Sequence, residues 1–290
     1  MKIALVHTGK AYLPEVGIYE KYFKSLGYDI EVTSISDELS HYDVLWYFMG
    51  KSGKRYNKNQ YVIHEYASLS TGRFPILKDF IKKLILPKPD LRIFLNEDLK
   101  SRLNFKDNVP FEFRDMGVDD KFFDYNKDNN KNYDIVYVGA IANRSIDVAL
   151  DLLISYKKNI KILVVGDVSE SFKKNYKQVD FIGRVDYSLV PNYILQAKCC
   201  LNWIPDIYPY NIQTSTKFIE YFAMGMPIIS NKYKWVDEYS KKMNIQYVDV
   251  FDKERVINLI DASNSTIYTS KPESWLDILN KLQLEKYFQK

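Results

Sequence analysis

The sequence is poor in the residues from which disulfide scaffolds and metal centres are built. Its 290 residues hold two cysteines and three histidines. The cysteines, Cys199 and Cys200, are adjacent, about 3.8 Å apart at Cα, which is below the span a disulfide needs. A secreted disulfide scaffold is thereby excluded, and the pair reads as two small apolar residues of a strand. With so few histidines to complete a ligand set, no metal site is expected. Long apolar runs are missing too: nothing approaches the ~20 residues of a spanning helix, and the opening MKIALVHT is too short a run for a signal peptide. A reducing cytoplasm is therefore the expected compartment. Charge of one sign is also scarce, since 41 Lys and Arg against 37 Asp and Glu leave +4. So mild an excess gives no reason to expect nucleic acid as a partner, and it suits an anionic small ligand or a membrane surface. Neither Gly-x-Gly-x-x-Gly nor a P-loop occurs, which removes the dinucleotide fingerprint and the nucleotide-triphosphate cradle.

What is present is a globular composition, 46% apolar and 27% charged, in a chain long enough for two cores. Apolar runs at residues 2–7, 30–33, 44–48, 60–63, 91–95 and 109–113 lack period-2 alternation and are separated by loops and helical patterns. After the first, a polar loop to Val16 leads into a helix carrying Ile18, Tyr22, Phe23 and Leu26 and stopping at Gly27; a second helix is expected at 76–86. The stretch between Gly117 and Tyr133, DDKFFDYNKDNNKN, has no apolar period and marks a boundary. The pattern then restarts, with strands at 134–138, 160–165, 181–182, 199–203, 227–230 and 246–248 and a helix at 145–156. Buried strands alternating with helices indicate parallel sheets covered on both faces. The fold class is α/β, with two doubly wound Rossmann-like domains, 1–118 and 132–271. A tail helix at 272–290, apolar at Trp275, Ile278, Leu279, Leu282 and Leu284, is expected to cross back over the junction. Ligands of such sheets bind at the carboxyl ends of the strands, around a cleft that the two domains would share.

One stretch gathers the elements of such a site. In IQTSTKFIEYFAMGMPIISN, residues 212–231, Thr214, Ser215 and Thr216 are capping residues before an apolar helical period of Phe218, Tyr221 and Phe222. Gly225 and Pro227 end the helix after about two turns, and a buried strand follows. The free amides at such a helix start form an anion site, with Lys217 in the first turn. Arg144, at the end of the loop from Gly139 into the helix at 145, could reach the same phosphates or be a solvated surface residue. Glu220 could accept the hydroxyls of a ribose, or serve only as a salt-bridge partner.

Lys217-x-x-Glu220-Tyr221-x-Ala223-x-Gly225-x-Pro227-Ile228-Ile229 resembles the donor-nucleotide motif of GT-B glycosyltransferases of the family 4 type. Ile135 to Gly139, Leu163 to Asp167 and Phe181 to Val185 resemble, in the family's order, the two strands opening its donor domain and its base-binding turn. Asp115 to Asp119 resembles the interdomain hinge, and Val62-Ile63-His64-Glu65 the His-containing loop facing the donor sugar. The resemblance implies a cytoplasmic, metal-independent and retaining glycosyltransferase with no cofactor, moving sugar from a nucleoside diphosphate to a glycan or lipid-linked glycan. It would place Glu220 on the ribose, Lys217 and Arg144 on the diphosphate, and the backbone of Arg184 and Val185 on the base, with Gly139 and Thr216 also at the donor nucleotide. His64 would lie near the transferred sugar. Gly17 resembles the glycine of the first acceptor-side loop, with tight packing at a helix start as its other reading, and Lys10 and Tyr12 share that loop.

Two positions depart from the family pattern. Ile212 stands where many members carry a first Glu, and Ala140 where a Gly-Arg pair is usual. They motivate an alternative, a catalytically silent GT-B scaffold that binds a partner enzyme or a glycan; a nonhydrolysing epimerase on the same fold is a third reading. The helix at 76–86 has Lys on one side and a broad apolar face, so it either covers its own sheet or lies peripherally on an anionic bilayer. Trp203, Tyr208 and Tyr210 read as loop packing or as a sugar-stacking cluster.

Overall fold

Runs such as Ile3 to Val6 and Val44 to Phe48 become strands buried on both faces. The computed structural model describes residues 1–9, 13–48, 53–125, 130–141, 144–262 and 268–288. The chain divides into two units, Met1–Gly117 with Glu273–Lys290, and Val118–Pro272.

The first unit runs β1 (Lys2–His7), α1 (Pro14–Ser25), β2 (Asp29–Ser34), β3 (Val44–Phe48), β4 (Tyr61–Tyr66), α2 (Pro75–Ile85), β5 (Leu91–Phe94), α3 (Glu97–Leu103) and β6 (Phe111–Phe113). Its sheet is parallel throughout in the order β2-β1-β3-β4-β5-β6. The order reverses between β1 and β3, which makes their carboxyl ends the switch point where ligands enter such sheets.

The second unit repeats the architecture with β7 (Tyr133–Val138), α4 (Ile146–Tyr156), β8 (Ile162–Val165), α5 (Glu170–Lys174), β9 (Val179–Gly183), α6 (Val190–Ile194), β10 (Ala197–Asn202), α7 (Thr216–Ala223), β11 (Ile228–Ser230), α8 (Lys234–Met243), β12 (Val248–Asp249) and α9 (Lys253–Asp261). These strands pair in the order β12-β11-β10-β7-β8-β9, again parallel, with the reversal between β7 and β10. Cys199 and Cys200 lie fully buried in β10, as small apolar strand residues. The chain then returns to the first unit with α10 (Trp275–Leu282), whose Trp275, Ile278 and Leu279 join Tyr19, Phe23 and Trp46 in one core.

Several local expectations are corrected. The first helix starts at Pro14, whose fixed φ suits the first helical position, so Gly17 sits inside α1 and not in a loop. Nor does Gly17 pack tightly, because a Cβ there would meet nothing within 4 Å. Helix α3, capped by the Asn96 side chain accepting from the Leu99 amide, fills the stretch between β5 and β6, for which no helix is expected from the sequence. The tail is a shorter helix than expected: Gln283, with φ of 46°, ends α10 and a 3-10 turn, Leu284–Tyr287, follows. Helix α2 does not cover its sheet, since only Asp79 among its residues is buried. Among the described residues no helix is long and apolar enough to cross a membrane.

Candidate functional site

Three neighbouring strands of the second unit end at their carboxyl edge in glycines of positive φ: Gly139 after β7 (134°), Gly166 after β8 (156°) and Gly183 closing β9 (83°). The Gly139 amide donates to the Val165 carbonyl at 2.8 Å, and the Gly166 amide to the Gly183 carbonyl at 2.9 Å. A Cβ on Gly166 would lie 2.1 Å from the Gly139 oxygen, so side-chain-free backbone is required there. The result is a stretch of naked main chain beside the switch point, where a ligand can approach the backbone closely.

Helix α7 stands on the other side of that switch point, in the connection leaving β10. Its N-cap is Ser215 alone of the three candidates, its hydroxyl accepting from the Phe218 amide at 3.3 Å, while Thr216 is the exposed first helical residue. Ser215 is fixed from below: it donates to Asn202 Oδ1 at 2.7 Å, and Asn202 Nδ2 donates to Ser230 at 2.8 Å. At the far end the Met226 amide bonds the Tyr221 carbonyl and the Gly225 amide the Phe222 carbonyl, both at 3.0 Å. With Gly225 at φ 63°, this is a Schellman stop. Just before the helix, Asn211 Oδ1, Gln213 Nε2 and Thr214 Oγ1 are buried without a partner among the described residues.

The charged side chains converge on this edge. A Cβ on Gly139 would be 3.4 Å from Lys217 Nζ, so the ammonium lies against the glycine backbone. Loss of water pushes its pKa down to about 8, the positive field of Arg144 adding to the shift and Glu220 opposing it. The Arg144 guanidinium stacks 4.5 Å above the Tyr210 ring, and the Arg144 carbonyl accepts from Trp203 Nε1 at 3.0 Å. Trp203 and Tyr210 thus position the cation, a role neither loop packing nor sugar stacking anticipated. Glu220 is 8% exposed and its pKa is pushed up to about 7 by burial, against a hydrogen bond from Tyr187 and the charge of Lys217. Tyr187 Oη donates to Glu220 Oε1 at 2.6 Å. Gly139, Arg144, Lys217 and Glu220 are therefore one electrostatic group. Arg184 and Val185 follow Gly183 at the end of β9, Arg184 exposed and Val185 half-buried. Ile212 is buried.

The first-unit residues behave differently. His64 is inside β4 and not in a loop: its ring is wholly buried, and Nε2 donates to the Gly53 carbonyl at 3.0 Å, leaving Nδ1 to face Tyr66 Oη at 3.4 Å. Burial lowers its pKa to about 4, so the ring is neutral at physiological pH. Lys10 and Tyr12 lie outside the described residues, and Gly17 lies within α1. What the sequence did not reveal is a buried charge cluster, in which Arg114 Nε donates to Glu65 Oε1 at 2.8 Å and its Nη2 donates to Glu15 Oε1 at 3.3 Å. Glu15 and Glu65, with His7, Asp79 and Lys82, line a cavity of about 140 Å³ at the carboxyl edge of this sheet. Tyr187 and the Glu15–Arg114 pair carry no local sequence signal. Gly166 does, since it follows a strand as Gly139 does. Among the described residues, no three His, Cys, Asp or Glu side chains gather where they could hold a metal ion.

Residues 132–259 match the family model described as glycosyl transferases group 1. No curated protein matches the chain. Among solved structures, the chain is similar to a sucrose-phosphate synthase from Thermosynechococcus elongatus, with a TM-score of 0.71, 15% identity and 99% of each chain covered. It is also similar to HepE from Anabaena in complex with UDP-glucose, with a TM-score of 0.67, 12% identity, and 99% of this chain and 100% of that one covered. A UDP-GlcNAc 2-epimerase from Methanocaldococcus jannaschii shares the fold at a TM-score of 0.56 and 11% identity, covering 99% of this chain and 100% of that one. Two parallel six-stranded sheets with flanking helices and these likenesses define a GT-B α/β protein. At such identities the likeness speaks for the fold, and transferases and an epimerase both share it.

Proposed function

We propose that the chain is a glycosyltransferase that moves a sugar from a nucleoside diphosphate to a glycan or lipid-linked glycan, with retention of configuration. The observation that carries this reading is the position of Lys217 against Gly139 at the β7/β10 switch point, inside the stretch that matches the group 1 glycosyltransferase model. The diphosphate would meet the free amides of α7, Lys217 and Arg144; the ribose would meet Glu220; the base would lie on the backbone of Arg184 and Val185. As the glycosidic bond breaks, negative charge grows on the departing diphosphate. A cation held in place beforehand stabilises that charge without having to reorganise, so no metal is required. Thr214 and Gln213, whose buried polar atoms have no partner among the described residues, stand where further donors to phosphate or sugar are needed. HepE is described in complex with UDP-glucose, which makes a UDP-sugar the first donor to try. The acceptor would belong to the first unit.

Donor hydrolysis and transfer with a panel of sugar nucleotides test the activity, and calorimetry with UDP, GDP and ADP tests the pocket. Lys217→Ala and Glu220→Ala should each weaken nucleotide binding at least tenfold; unchanged binding and turnover in both would remove the site assignment. The second reading, a silent scaffold, is favoured by the buried Ile212 in place of a carboxylate, and it expects no heat with any of the three nucleotides.

A further inference from the structure

Helix α2 presents its apolar side chains to solvent and its acidic one to the protein. Ile76, Leu77, Phe80, Ile81, Leu84 and Ile85 recur in adjacent pairs four apart, which is a single helical face. They are between 44% and 70% exposed. Asp79, on the opposite face, is 7% exposed and accepts from the Ser70 amide at 3.1 Å. A helix that covers its own sheet would show the reverse. So wide an apolar stripe on a surface element marks a docking face.

The charges beside the stripe identify the partner. Lys78, Lys82 and Lys83 flank it and Arg73 precedes the helix, whereas the one acidic residue, Asp79, is turned inward with Lys82 3.8 Å away. Lys83 Nζ lies 5.7 Å from the Phe80 ring, so cation and apolar surface are interleaved at one level. Two copies of this helix face to face would bring like charges together, which disfavours self-association. An anionic lipid surface satisfies both features at once: apolar side chains enter the acyl boundary and the lysines sit among the phosphates.

We infer that α2 is an interfacial helix by which the protein lies on an anionic lipid bilayer. The same helix contributes Asp79 and Lys82 to the wall of the first-unit cavity, beside Glu15, Glu65 and His7. A molecule anchored in that bilayer would therefore reach the cavity along α2. In this last respect the inference rests on the sugar-transfer reading, for which it selects a lipid-linked acceptor over a soluble glycan; the membrane contact itself stands apart from that reading.

The test is flotation of the full chain with vesicles of phosphatidylcholine alone and of phosphatidylcholine with phosphatidylglycerol. Binding should appear with the anionic vesicles and be at least about tenfold weaker with the neutral ones. Ile76→Asp with Leu84→Asp should abolish it, and Lys78→Glu with Lys83→Glu should weaken it at least about tenfold. Melting curves and UDP calorimetry on each variant show that the fold and the nucleotide site in the other unit are intact, so a failed nucleotide reading and a failed membrane inference are seen separately. No flotation of the wild type with anionic vesicles overturns the inference. So does undiminished flotation of the double aspartate variant, or a wild-type dimer in sedimentation that the same variant dissolves in the absence of lipid.

Discussion

The hydroxyl of Tyr187 donates to Oε1 of Glu220 across 2.6 Å, so the carboxylate assigned to the ribose is engaged before any ligand arrives. That bond works against the effect of burial, which pushes Glu220 up to about 7. Removing it in Tyr187→Phe lets the pKa climb further. Nucleotide affinity should then change little at pH 8.5 and fall several-fold at pH 6.5 relative to wild type, as read by calorimetry over a pH series. Equal losses at both values would show that the hydroxyl touches the ligand directly.

The two shifted groups also set a pH window for binding by the wild type. Ribose hydroxyls donate to an ionised Glu220, so binding favours the deprotonated form and weakens as pH falls below about 7. Phosphate favours the ammonium of Lys217, so binding draws a proton and weakens as pH rises above about 8. Affinity should peak between these values and fall on each side by at most about tenfold per pH unit. An affinity flat from pH 5.5 to 9.5 would exclude both groups from contact with the nucleotide.

Stability should reveal that Glu220 is held at a cost. Its folded pKa, about 7, is above the ordinary 4.5, so the native state binds more protons between these values and loses stability as pH rises through them. Above pH 7 the full penalty applies, up to about 3 kcal/mol for a shift of this size. Glu220→Gln keeps an acceptor for Tyr187 without the charge. It should match wild type near pH 4.5, melt higher at pH 8, and bind nucleotide more weakly at both. A charge kept where it destabilises the fold is expected at a site selected for binding.

The glycine edge makes a contrasting pair of predictions. In Gly166→Ala the new methyl would sit 2.1 Å from the Gly139 oxygen at a φ of 156°, so β7 and β8 must separate, and at least about 2 kcal/mol of stability should be lost. In Gly139→Ala the methyl meets the flexible end of Lys217 at 3.4 Å. Only the strain at φ 134° opposes folding there, so the main loss should be in nucleotide affinity. Denaturant melts and calorimetry on the two variants separate the effects.

How much of this was legible depends on how local each signal is. Helix α7 could be read because a serine cap, an apolar period, Gly225 and Pro227 act on their immediate neighbours. The strands could be read because a doubly covered parallel sheet needs continuous apolar runs. The bond from Tyr187 to Glu220 spans 33 residues and leaves no pattern in the intervening chain. The period of α2 gave its stripe but not the direction it faces, because a helical wheel does not record which side a buried Asp79 will anchor. His64 misled because an apolar strand that runs on to Tyr66 looks the same as one that ends at Ile63 until its partners are known.

The charge cluster of the first unit is less local than that bond, with Arg114 99 residues from Glu15, and it makes the largest stability prediction. Glu65 accepts from Arg114, from Trp46 Nε1 at 2.9 Å and from Tyr19 at 3.3 Å, and all three charged residues are buried. Burial raises the Glu65 pKa and Arg114 holds it down. Arg114→Met leaves two buried carboxylates without a cation, a change that costs about 3–5 kcal/mol in other buried ion pairs. Without its cation Glu65 should take up a proton on folding, so the variant's stability should fall as pH rises, and the gap to wild type should be wider at pH 8 than at pH 5. Adding Glu65→Gln removes the charge that Arg114 compensated and should recover part of the loss at pH 8. If melts show the same gap at both pH values and no recovery, the cluster acts through packing against Trp275, whose ring lies 4.9 Å from the guanidinium, and not through its charges.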